Sequence, residues 1–101
     1  MSLSELTITD INTRIFYIKN PDAGSLVTMI PNYMGDDALA FRLMVDNNID
    51  QYYDHFEEEY VSEKHIAGAN HTDLVLVASS RDVSLNRAIA ECYLLMSGVE
   101  S

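Results

Sequence analysis

A chain of 101 residues, 48% of them hydrophobic, fits one domain over residues 1–101 and leaves no room for a second. Sixteen Asp and Glu against six Lys and Arg give a net charge of −10. The cations Arg14, Lys19, Arg42, Lys64, Arg81 and Arg87 are scattered, so direct binding of nucleic acid or an anionic membrane is disfavoured.

The first predicted element is a helix. Thr7 with Asp10 three positions on makes a capping-box start, and Ile8, Ile11, Ile15 and Ile18 form an apolar stripe. Asn20-Pro21-Asp22-Ala23-Gly24 stops it, because proline disfavours helix at the residue before it. Leu26 to Ile30, short and partly β-branched, reads as a strand. Gly35-Asp36-Asp37 then opens a second helix whose acidic start suits the helix dipole. Ala38, Phe41, Met44 and Val45 share its apolar face, and Asn47-Asn48 weakens its continuation.

From Ile49 to Ile66 the pattern fits two structures. Ile49, Tyr52, Tyr53, Phe56 and Tyr60 stand at helical spacing, yet Tyr52, Phe56 and Tyr60 also fall on one side of a strand. The aromatic content tips part of the stretch towards strand. Asp73 to Ala78 is a continuous apolar run, which predicts a strand buried on both faces, and Ser79 to Asp82 reads as a turn or loop. Ser84 caps a closing helix to Met96, with Ala88, Cys92 and Leu95 or Ile89, Tyr93 and Met96 as its apolar face, and Gly98 ends it. Together these elements predict an α+β fold: a small antiparallel or mixed sheet with about three helices packed on it.

No apolar run reaches the ~18 residues of a membrane span. The opening residues also lack the basic start and apolar stretch of a secretory leader. Cys92 is the one cysteine, which excludes an internal disulfide and suits a reducing cytoplasm. On a helix among apolar neighbours it reads as a small buried side chain rather than an activated thiolate. The dispersed glycines at 24, 35, 68 and 98 draw no phosphate-cradling loop, and no Gly-x-Ser-x-Gly elbow occurs. No catalytic residue and no cofactor follow from these patterns.

Two clusters remain. His65, His71 and Asp73 lie within nine positions and could converge on a metal ion or an enzyme site, although their spacing matches no established ligand pattern. The plainer reading of His65 to His71 is a loop with histidines in solvent. The second cluster is acidic: eight carboxylates lie between Asp36 and Glu59, with Arg42 the sole cation among them. Within it Tyr52, Tyr53, Asp54, Phe56, Glu57, Glu58, Glu59 and Tyr60 interleave aromatic and acidic groups. Such a surface suits a basic protein partner, with aromatic anchors and a field that steers encounter. In an extreme form its carboxylates imitate DNA phosphates and occupy a DNA-binding protein. The plainer reading is a solvated acidic face whose aromatics point into the core. Aromatics in excess of what a small core holds would also leave room for homo-oligomerisation. Arg87, a lone cation in the closing helix, predicts a partly buried ion pair, with the second helix as a source of the carboxylate.

Asn32 to Ile49 resembles the central segment of the NinX-like proteins of temperate phages. There a Tyr and a turn lead into an Ala-Trp-containing helix that ends in an acidic residue and Asn. Here Tyr33, Gly35, Ala40 and Asp46-Asn47 match, and Phe41 replaces the tryptophan; Leu39 and Arg42 stand where an Asp and a Pro are usual. Asp82 to Met96, with its Arg87-Ala88 pair, is similar to their closing helix. Ser4-Glu5-Leu6 with Asp10-Ile11-Asn12 is similar to their start. The resemblance implies an α-β-α sandwich-like fold and an accessory protein of a phage or prophage, working in the bacterial cytoplasm on a host or phage protein. It carries over no catalytic residue. The interaction-module reading leads, with the DNA mimic and the metal protein or enzyme as alternatives.

Overall fold

The computed structural model describes residues 3–24, 29–68 and 74–98. A 3-10 turn at Leu3–Glu5 precedes helix α1 (Ile8–Lys19), and α2 (Asp37–Asp46) follows a turn at residues 33–35. Strands β1 (Asp50–Asp54), β2 (Glu59–Ala67) and β3 (Leu74–Asp82) pair antiparallel in the order β1-β2-β3, and α3 (Leu85–Met96) comes last. The fold is α+β.

Each helix begins where its cap dictates. Thr7 Oγ1 accepts the Asp10 amide at 3.1 Å while the Asp10 carboxylate accepts the Thr7 amide at 3.1 Å, the reciprocal capping box expected. The Asp36 carboxylate accepts the amides of Ala38 and Leu39, and Ser84 Oγ accepts that of Arg87. Gly98, at φ 95°, takes the left-handed conformation that ends α3.

Helix α3 is the centre of the molecule. Every side chain from Ala88 to Leu94 is buried, because one side of the helix packs on β2 and β3 while α1 and α2 cover the other. Both apolar faces predicted for it are therefore used. Ile11 and Ile15 of α1, Ala40 and Leu43 of α2, and Leu3, Leu6, Tyr33, Ile49 and Ala78 complete the core. Asparagines hold the helix starts together. Asn12 Nδ2 donates to Asn32 Oδ1 (2.8 Å), Asn12 Oδ1 accepts the Met34 amide (3.1 Å), and Asn86 Nδ2 donates to the Met34 carbonyl (3.0 Å) and to Asp37 (2.9 Å).

Four expectations need correction. In α2 the buried face is Ala40 and Leu43, whereas Phe41 and Val45 are exposed. Relative to that expectation the helix is turned by about one residue, ~100°, so that Ala40 and Leu43 are the residues buried. Ser79–Asp82 is the end of β3 rather than a loop, since it pairs with Tyr60–Glu63. His65, Ile66 and Ala67 are strand residues, paired with Leu76, Val75 and Leu74, and not part of a loop. The apolar run in β3 is a strand but is not buried: Leu74, Val75, Leu76 and Val77 are all exposed. The strand runs beyond the reach of α3, so nothing among the described residues covers it. Most of the strand expected at Leu26–Ile30 lies outside the described residues, and Met29 and Ile30 carry no regular structure.

Candidate functional site: the acidic aromatic hairpin and its groove

The stretch that fits both helix and strand in sequence is a β-hairpin. β1 pairs with β2 in register, Tyr52 opposite Val61, Tyr53 opposite Tyr60 and Asp54 opposite Glu59, with residues 55–58 as the turn. Asp54 shapes that turn. One carboxylate oxygen accepts the amides of Phe56 (2.9 Å) and Glu57 (3.2 Å), and the other accepts Arg81 Nη1 at 2.8 Å. The Arg81 hydrogen bond, then those amides, hold the Asp54 carboxyl below its usual range.

All eight residues of the predicted partner surface fall on this hairpin, and alternation divides them between two faces. Tyr52 and Asp54 lie on the outer face of the sheet with Val61 and Arg81. Tyr53 and Tyr60 lie on the face that carries the helices, their rings 5.0 Å apart and edge-to-face, with His55 against Tyr53 at 5.0 Å. Phe56 stands at the crest, 98% exposed, between His55 and the exposed Glu57 and Glu58. Tyr52 and Tyr53 are 45% and 40% exposed, so the aromatics do not retreat into the core.

Tyr60 links the hairpin to a groove of about 590 Å³ between α2, α3 and the sheet. Phe41, Met44, Leu85 and Ile89 give it apolar walls, while Asp37, Gln51 and Tyr60 add polar groups. That volume lies within the range of ligand-sized pockets. The groove was not legible in the sequence, because its walls come from four separate elements, α2, β1, β2 and α3. The only sequence signal was Phe41, an aromatic on a helix face that packing leaves open.

Nothing matches this chain among family models, curated proteins or solved structures. The chemistry of the site therefore rests on its own residues. Exposed aromatic rings among carboxylates attract Lys and Arg side chains through both ion pairing and the ring faces.

The other candidates are the histidine cluster, Cys92 and Arg87. His71 and Asp73 lie outside the described residues, and His65 stands with Nδ1 3.3 Å from Asp50 Oδ2. Among the described residues no group of three or more His, Cys, Asp or Glu is placed to hold a metal ion. Cys92 is fully buried, and burial pushes its thiol up to about 11. Arg87 finds its carboxylates on β3 and on its own helix rather than on α2: Nε lies 3.6 Å from Asp82 and 3.7 Å from Glu91. Its Nη2 also donates to the Leu3 and Leu6 carbonyls, at 3.1 and 3.0 Å. This arginine is a structural tie between the first turn and the last helix. Ser62 Oγ is buried without a hydrogen-bond partner and does not line the groove. No helix among the described residues is long and apolar enough to cross a membrane.

Proposed function

We propose that this chain is a non-enzymatic interaction module that binds a basic segment of a host or phage protein through the β1–β2 hairpin and the adjoining groove. The observation that carries the reading is Phe56, an aromatic ring held almost wholly in solvent by the Asp54 turn and flanked by Glu57 and Glu58. A large apolar side chain in that position costs solubility and contributes nothing to the core, so a partner gives it a use. The net charge of −10 steers basic partners towards it. The resemblance to NinX-like proteins supports a phage or prophage accessory role in the bacterial cytoplasm.

The DNA-mimic alternative draws less support. A mimic needs its carboxylates along one exposed face. Asp54 is engaged by Arg81, Asp36 caps α2, and Asp50 lies on the outer face of the sheet, away from the helices.

Quantitative pull-down from bacterial lysate at physiological salt tests the reading, with the wild type compared against Phe56→Ser and Glu57→Lys/Glu58→Lys. The expected result is a small set of basic proteins retained by the wild type and lost from both variants. Equal retention by all three, or a ligand found only in a small-molecule screen, would overturn it.

A further inference from the structure

We propose that the far end of the β2–β3 hairpin is a self-association surface, and that its occupant is a second copy of this chain. β1 begins at Asp50, opposite Glu63, so beyond Glu63 the hairpin continues as two strands only. α3 reaches the sheet as far as Ala78, whose carbonyl lies 4.0 Å from Cys92 Sγ. Past that point Val77, Leu76, Val75 and Leu74 on one strand and Ile66 on the other are all exposed, Leu74 by 73%. Successive residues of a strand point to opposite sides, so four exposed in a row means that both faces are bare. A two-stranded ribbon with bare apolar faces is marginal in water by itself. The exposed area amounts to roughly a few hundred Å² per copy, the size at which an apolar patch signals association.

Charge selects the occupant. The molecule carries −10, yet residues 64–80 contain one acid, Asp73, against one Lys. A basic partner finds no carboxylate among the described residues of this arm to recognise, and an anionic lipid surface finds no cationic cluster. A second copy meets least repulsion here. β3 is an edge strand among the described residues, so a two-fold axis normal to the sheet sets it antiparallel to its copy. Leu and Val then face Leu and Val, and both α3 helices remain on the same side. The acidic hairpin turns point to opposite ends of such a dimer. The nine residues of β2 alone span about 30 Å, against a screening length of about 8 Å at physiological salt. The inference stands independently of the partner proposed for the β1–β2 hairpin.

Sedimentation equilibrium of the full chain, from micromolar to near-millimolar concentration, tests it. The expected result is a reversible dimer that added salt leaves unchanged or tightens. Val75→Lys and Leu76→Lys remove exposed side chains, so both should keep the wild-type circular dichroism while weakening the dimer about tenfold or more. Phe56→Ser should dimerise as the wild type does, which separates this surface from the one proposed for basic partners. Val75→Cys or Leu76→Cys, each made singly where a two-fold through this run sets a residue opposite its own copy, provides a readout independent of the lysine variants. Mild oxidation should trap it as a covalent dimer, while the wild type, with Cys92 buried, stays uncrosslinked. A monomer at every concentration, a dimer indifferent to the arm substitutions, or open-ended polymers would each overturn the proposal.

Discussion

Glu91 illustrates how little of an ionisable group's behaviour is visible in its place in the sequence. It lies on the last helix, buried, with Ser80 Oγ donating to one oxygen at 3.2 Å and Arg87 near the other. Burial pushes its carboxyl up, against the opposing pull of Arg87 and the Ser80 hydrogen bond. The folded protein therefore holds the Glu91 proton more tightly than the unfolded chain does. This contribution is fully present below the ordinary glutamate value of 4.5 and is lost as pH rises through the elevated folded value. Asp54 has the opposite sign. Its lowered pKa contributes stability above the ordinary value of 3.8, and that stability disappears as pH falls through the folded value. The difference between wild type and Glu91→Gln in urea unfolding, followed from pH 4 to 7, isolates the first effect. The wild type should lose stability relative to the variant across that window, and a flat difference would show that Glu91 titrates as it does in the unfolded chain.

The hairpin turn carries the clearest local strain. Glu58 sits at φ 57°, a left-handed conformation that a side chain with a Cβ disfavours. Glu58→Gly should stabilise the fold by about 1 kcal/mol. Glu58→Gln, which removes the same charge and keeps the Cβ, should gain far less; equal gains would assign the effect to charge instead. Legibility follows a similar logic among the elements. Helix starts at Thr7, Asp36 and Ser84 were readable because a cap is a local bond between residues a few positions apart. The rotation of α2 was not, since the face it buries is chosen by packing against α3, an element that comes only after the three strands. The hairpin was ambiguous because its aromatics fit two periodicities, and Asp54, the residue that decides the turn, is one carboxylate among sixteen. β3 misled for a physical reason. An apolar run normally signals burial, but the pattern along one strand does not reveal where its covering helix stops.

The charge of the whole molecule sets its response to ionic conditions. Sixteen acids against six cations repel one another across a domain whose dimensions exceed the screening length at ordinary salt. Raising salt from about 0.01 M, where screening extends about 30 Å, to about 0.15 M should relieve that repulsion. A gain near 1 kcal/mol corresponds to a rise in Tm of about 4–8 °C for a domain of this size. Scanning calorimetry at fixed pH and protein concentration measures it. A Tm that falls with salt would mean that ion pairs such as Arg81–Asp54 outweigh the net repulsion.

The central position of α3 has a consequence for biogenesis. This helix follows every strand it covers, so a ribosome making the chain from its first residue releases α1, α2 and the sheet before their shared packing partner exists. Ile11, Ile15, Leu43 and Ala78 remain without their final cover until α3, the last of the described elements, has emerged. Folding is then a late, single event rather than a progressive one. Apolar surface that α3 will bury stays exposed in that interval, and a chain truncated before Leu85 should fail to give a cooperative unfolding transition.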